Sequence, residues 1–413
     1  MHYSFGKQEG ALLHNTFIIF LLLACLIEPD GITDGSHYGV AIFQPLHTLY
    51  VYSKYISFVI SFYLVLNLRK PSLLFVLILI YHSIIIISSI INGNMTKGML
   101  LVESRIISIS IIAEYYMQKT PVQFIKSLVW LLLIFVALNF VSLILFPNGM
   151  YTDSRWWTNN YFLGYKNLHI YYFLPCIFCA SLYSYIRQEN RIFIYLLLGL
   201  LLVSCLLNHS TTSLIAIGLL TIASIFFVKL GFPKWMNANL VFLTGFVVSV
   251  VMITMTVEGT FGQYTELIAE NFDKDSDTMS SRGVIWTESL IYFWQHPLFG
   301  NGDLIFDIGW AWDVTQVHNN YLDMAVVGGV SLLLVFSTQV FILSRRMRKI
   351  NIQEVYNVIL FILIAYAVEF LSEARRNNYL WFPLMIIIFY TPNLINLVTY
   401  KAQIKEIHKN RTK

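Results

Sequence analysis

Arg282 and His318 lie in one polar stretch, from Ser281 to Gly329, that interrupts an otherwise apolar chain. A guanidinium stays charged and can grip two phosphate oxygens at once, so Arg282 is a candidate clamp for a diphosphate. An imidazole can take a proton from a hydroxyl or donate one to an oxyanion, so His318 is a candidate acid–base or diphosphate-binding group. Each has a plainer reading: an exposed interfacial arginine, and a polar end group of a span. Asn319, Asn320 and Tyr321 beside the histidine favour a polar site. Arg282, Trp286, Leu290 and Phe293 fall at helical spacing on one face of a helix that Ser280 or Ser281 caps and Pro297 ends. Gly300-Asn301-Gly302 then makes a tight turn, and Gly328-Gly329 marks a close helix approach.

Other charges stand where an apolar chain should not keep them. Glu103 and Arg105 sit inside the run LLVESRIISISII. Charges at membrane depth face a cavity or a partner, and residues two apart do not share a helix face, so the two do not simply pair. Lys166, Arg375 and Arg376 lie in segments between spans, the arginines clustered with Glu369 and Glu373. Their plain reading is snorkelling at the interface. The sharper one is an anionic ligand held by Arg105, Lys166, Arg375 and Arg376. Trp156, Trp157, Trp310 and Trp312 suit an interfacial belt or a platform for sugar faces. Asp273, Asp275 and Asp277 form DKDSD, but a calcium loop needs Gly and Glu where Thr278 and Val284 stand, so no metal site is expected. Cys176 and Cys179 form a C-x-x-C within a greasy helix with no second ligand pair, and read as packing residues. No nucleotide-binding loop, zinc motif or nucleophile elbow stands out.

The elements that must position these residues are membrane spans. Of the 413 residues, 57% are hydrophobic and only 12% charged, with a mean hydropathy of +0.65. No soluble core of this size could hide so much apolar surface, so lipid is the expected solvent. Spans are expected near Leu12–Ile27, Leu49–Leu66, Leu73–Ile91, Met99–Tyr116, Phe124–Phe146, Leu168–Tyr185, Ile192–Leu207, Ser213–Val228, Leu240–Val257, Tyr321–Ser344, Val355–Leu371 and Tyr379–Val398, about twelve in all. The first is read as an uncleaved span, because Glu28-Pro29-Asp30 follows it instead of a cleavage site. Lys and Arg gather in alternate loops, above all at Arg345-Arg346-Met347-Arg348-Lys349 and in the C-terminal tail, which puts both termini in the cytoplasm. The expectation is one all-α polytopic membrane domain over 1–413, with a large outer loop at about 258–320 between the ninth and tenth spans.

Arg282, Trp286, the HPLFGNG turn and HNNYLDMAVVGG together resemble the O-antigen polymerase and O-antigen ligase superfamily, bacterial polytopic glycosyltransferases. Gly164-Tyr165-Lys166-Asn167, opening a span, is similar to a second pattern of that family. Many members carry Ser-Arg where this chain has His209-Ser210-Thr211-Thr212-Ser213, so a phosphate-binding role of that arginine must pass elsewhere. The resemblance implies a donor glycan on undecaprenyl diphosphate at the outer face of the inner membrane, metal-independent inverting transfer and no cofactor. It implies His318 and Arg282 as catalytic residues, with Arg105, Lys166, Arg375, Arg376, Asn319, Tyr321 and Trp286 binding diphosphate or glycan. A polymerase joining lipid-linked repeats is the expected activity, and a ligase moving glycan to lipid A–core is the runner-up. Membrane lipid, a chain-length regulator and a flippase are the expected partners, and nucleic acid is not. A lipid-linked glycan flippase or transporter is the reading from another class. It would spread ionisable residues through many spans, whereas here they gather in one loop.

Overall fold

The computed structural model describes residues 8–411, apart from 69, 153–157, 190, 225–231, 259–276, 304–305, 308–312, 315–316 and 374–377. In chain order the helices are α1 (Gln8–Leu26), α2 (Asp30–His37), α3 (Phe43–Leu66), α4 (Leu73–Ile91), α5 (Lys97–Lys119) and α6 (Pro121–Leu145). Three short strands follow, β1 (Tyr151–Thr152), β2 (Asn159–Tyr161) and β3 (Gly164–Tyr165), paired as an antiparallel meander. Then come α7 (Ile170–Arg187), α8 (Ile192–Leu207), α9 (Thr211–Ile222), α10 (Ala238–Val257) and α11 (Asp277–Gln295). The antiparallel pair β4 (Phe306–Asp307) and β5 (Asp313–Val314) precedes α12 (Asn320–Met347), α13 (Gln353–Ser372) and α14 (Trp381–Arg411). The protein is an all-α polytopic membrane protein.

Local chemistry sets the helix ends. Ser72 and Thr96 cap α4 and α5 by accepting the N–H of Phe75 and Met99, Pro121 opens α6 where its missing N–H costs nothing, and Gln188, left-handed at φ 56°, ends α7. Among the described residues nine helices are long and apolar enough to cross a membrane. Three more occupy expected spans but fall short of that standard. α5 carries Glu103, Arg105 and Glu114. α8 and α9 have only 16 and 12 residues, so at 1.5 Å per residue the longer reaches about 24 Å against a core of about 30 Å.

Glu103, Arg105 and Glu114 of α5 are all engaged. Glu114 is buried and accepts from Ser72 N (2.7 Å), Ser72 Oγ (3.0 Å) and Tyr390 Oη (2.8 Å), tying α4, α5 and α14 together. Glu103 meets His82 Nδ1 of α4, not Arg105. Beside α5 a second polar knot holds the N-terminal half: buried Glu28 takes both Lys54 and His47. The backbone carbonyl of Glu28 accepts from Tyr172 and Tyr379 hydroxyls. Where water is absent such groups must find partners inside the protein. Under the loop end, Phe242, Tyr321, Phe336, Tyr366, Phe370 and Trp381 form one aromatic core of edge-to-face and tilted contacts joining α10, α12, α13 and α14.

Candidate active site

The signature stretch is organised by a break in α12. Gly329 has φ 64° and ψ −162°, a conformation open essentially to glycine alone. The break frees the carbonyls of Val326 and Val327 and the N–H groups of Val330 and Ser331. Residues 297–302 take all four. Asn301 N and Gly302 N donate to Val326 O (2.8 Å) and Val327 O (2.9 Å), while Val330 N and Ser331 N donate to Pro297 O (2.8 Å) and Leu298 O (3.1 Å). The glycines are there for contact: a Cβ on Gly300 would lie 2.4 Å from Gly328 N, and one on Gly302 would lie 2.4 Å from Ser89 Cα. Asn92 and Asn94, past the end of α4, donate to Gly300 O and Asn301 O at 3.1 and 2.9 Å. Turn, broken helix and α4 end therefore form one main-chain clamp.

Three neighbours then aim His318. The buried Trp286 indole donates to Val317 O at 2.9 Å, from a small core with Ile253, Ile285, Leu322 and Val326. Asn319 is fully buried; it caps α12 by accepting Leu322 N (3.1 Å) and also takes Ser249 Oγ (3.0 Å). Tyr321 is buried and donates to Phe242 O at 3.1 Å, in space that Gly245 leaves. Between them His318 is held left-handed at φ 54°, and its side chain stays 36% exposed. Trp286, Asn319 and Tyr321, expected to bind diphosphate or glycan, are all buried here, and the contacts described build the seat of the histidine.

The imidazole faces Glu373, at the end of α13. His318 Nδ1 lies 3.4 Å from Glu373 Oε2, an ion-pair separation without the alignment of a full hydrogen bond. The other oxygen, Oε1, accepts from Asn167 Nδ2 at 2.8 Å, and Asn167 Oδ1 accepts from Ser210 Oγ at 3.2 Å. Asn167 is placed by the meander and by His169, whose Nε2 is 3.1 Å from Gly164 O and whose Nδ1 is 2.7 Å from Asn208 Nδ2. That arrangement assigns Nε2–H as donor and Nδ1 as acceptor. Tyr165 of β3 feels both neighbouring charges: burial pushes its phenol up, the Glu373 carboxylate adds to this, and the Arg282 guanidinium opposes it. An imidazole and a buried carboxylate therefore pair at the loop end of the bundle, with the half-buried Arg282 on the first turns of α11.

The remaining candidates divide. Arg105 Nε donates to Leu26 O at 2.6 Å and Nη2 to Glu28 O at 3.3 Å, with the guanidinium 3.8 Å over the Tyr379 ring, so it closes the end of α1. Lys166 lies on the 3-10 turn Lys166–Leu168 beside Asn167. Arg375, Arg376, Trp156, Trp157, Trp310, Trp312, Asp273 and Asp275 lie outside the described residues, as do the side chain of Asp277 and part of the large loop. Among the described residues no group of three His, Cys, Asp or Glu could hold a metal ion. Sequence reasoning groups Glu373 with its arginine neighbours and notes Asn167 only as part of a pattern. A carboxylate just past an apolar span is the available signal for the first.

Residues 196–337 match the family model described as O-antigen ligase. That stretch of the chain is similar to the O-antigen ligase family, as the signature residues lead us to expect. The matched stretch runs from α8 through the broken half of α12, so it contains Ser210, Arg282, Trp286, the clamp and His318, while Asn167 and Glu373 come from outside it. No curated protein and no solved structure matches the chain. The family implies a glycan-transferring enzyme with lipid-linked glycan substrates in a multi-pass membrane protein.

Proposed function

We propose that the protein is a surface-polysaccharide polymerase. It joins repeat units carried on undecaprenyl diphosphate at the outer face of a bacterial inner membrane, with both termini cytoplasmic. The observation that carries the reading is the pairing of His318 with the buried Glu373 at one end of a membrane bundle, with Arg282 in the same signature stretch. The acceptor hydroxyl gives its proton to His318 as its oxygen bonds to the anomeric carbon. The bond from that carbon to the diphosphate oxygen breaks, and the electron pair leaves on the diphosphate. Arg282 meets the charge that grows there. Attack from the face opposite the leaving group inverts the anomeric centre. Lys166, beside Asn167, and Arg375 and Arg376, which follow Glu373 in sequence, are further cations for the diphosphate. The step calls on no metal, because side-chain cations supply the stabilising charge. The lipid leaves sideways into the bilayer, and a flippase and a chain-length regulator are the natural partners of such a step.

The family description favours a second reading, a ligase that moves the finished glycan to lipid A–core. One experiment separates the two and tests the site. The gene is deleted in its host, and wild type, Arg282→Ala and His318→Ala are returned at matched membrane abundance. A deletion strain showing core plus one repeat, restored to a ladder by wild type, identifies a polymerase. Bare core with accumulated lipid-linked polymer identifies a ligase. The expected loss of glycan joining in His318→Ala is on the order of 100-fold or more, the scale of a general base. Wild-type ladders from both variants would remove the site assignment.

A further inference from the structure

We propose that Glu373 is a positioning residue for His318: it holds the Nδ1 side of the imidazole and so presents the other ring nitrogen, Nε2, to the acceptor hydroxyl. The inference rests on the reading of His318 as the proton acceptor. Glu373 is itself held, its carboxylate by Asn167 and its backbone by the end of α13. Asn167 takes Oε1 at 2.8 Å from the start of α7. Ser210, at the start of α9, fixes that amide at 3.2 Å and lies 2.8 Å from Ser213 Oγ. The backbone N–H of Glu373 donates to Glu369 O at 2.9 Å, which anchors the residue to the last turn of α13. Among the described residues, Oε2 is left for the histidine. His318 Nδ1 is buried while the side chain as a whole is 36% exposed, so the ring turns one nitrogen inward to the carboxylate. The left-handed backbone at φ 54° and the anchors on Val317 and Asn319 leave the ring little freedom to choose another face.

The chemical consequence is twofold. A carboxylate on one ring nitrogen fixes which tautomer meets the substrate. It also stands beside the positive charge that the imidazole gains as the hydroxyl proton arrives, so it stabilises the transition state through the histidine. The Ser210–Asn167 link makes this a relay of position, since neither residue need touch the substrate.

The test is a double-mutant cycle on the purified full-length protein in lipid nanodiscs. Its substrate is lipid-linked glycan extracted from the deletion strain. Wild type, Glu373→Gln, His318→Ala and the double variant are compared by initial rate over a range of donor concentrations. Glu373→Gln keeps the shape and the acceptor for Asn167 but removes the charge. The expected result is a fall in kcat of roughly 10- to 100-fold, the usual scale for a group that orients another, with KM nearly unchanged. In the His318→Ala background the same change is expected to cost less than about two-fold. An equal loss in both backgrounds would overturn the proposal and make Glu373 an independent actor, whether base or structural support. If Glu373→Gln does not accumulate, Asn167→Ala takes its place in the cycle, with a smaller loss that must also vanish without His318. A His318→Ala protein as active as wild type would refute the histidine reading itself, a different result from either of these.

Discussion

At the scale of single residues, the signature separates into one reactive group and its holders. Trp286, Asn319 and Tyr321 are polar or amphipathic and flank a histidine, so composition alone makes them look like ligands for a sugar. Their polar atoms are spent on Val317 O, Leu322 N and Phe242 O. What the sequence could not display is the direction of each side chain, since a buried indole and a stacking platform are spelled with the same letter. Arg105 is a parallel case, a phosphate ligand by residue type and the closure of a helix end by geometry. The holders make a prediction of their own. Trp286→Phe keeps the ring in its core but leaves Val317 O without its donor. The expected cost is about 0.5–1.5 kcal/mol, and more where the carbonyl stays dry. Thermal denaturation in detergent should show a lowered midpoint, and glycan joining should fall because Val317 precedes His318. Activity and stability both equal to wild type would show that the indole anchor does not position the histidine.

At the scale of elements, the decisive device is the broken helix. The apolar run of α12 was legible because its length alone demands a span. The helix before Pro297 was legible from its spacing and its stop signal. The break was only half legible: a glycine pair signals close approach, but nothing in local spacing says that the approaching partner is the HPLFGNG turn. Gly329→Ala should expose the device. An added Cβ would lie 2.5 Å from the Leu298 carbonyl carbon, in a backbone conformation with φ 64°. A left-handed alanine costs about 1–2 kcal/mol before the clash is counted. The expected outcome is a large loss of folded protein or of activity. By contrast Gly199→Ala, inside α8 with open space around its site, should leave the detergent melting midpoint unchanged or raise it. If the two variants behaved alike, the clamp would not be the reason for the glycine.

At the scale of the whole molecule, the apolar runs and the positions of their connecting loops were read directly from the chain, because lipid enforces a minimum length on every crossing. The site was not, because its parts come from Asn167, Ser210, Arg282, His318 and Glu373, on segments that no local period links. Sidedness is testable by labelling. With Cys25, Cys176, Cys179 and Cys205 replaced by serine, an impermeant maleimide should label exposed Asn148→Cys on intact spheroplasts. Exposed Lys349→Cys should react only after the membrane is opened. The reverse pattern would turn the proposed orientation over. The clamp has a last consequence, for how such proteins diversify. The four hydrogen bonds between its turn and the broken helix run between main chains, and the segment it leads into starts at Asp303, whose N–H is pinned to Ser89 Oγ at 2.8 Å, and ends at Val317 under the Trp286 indole. A stretch of chain moored at both ends can be rewritten in length and lettering while its moorings keep their register. The moorings at Asp303 and Val317 thus mark the two points that any change of the chain between them has to keep if the histidine is to hold its place.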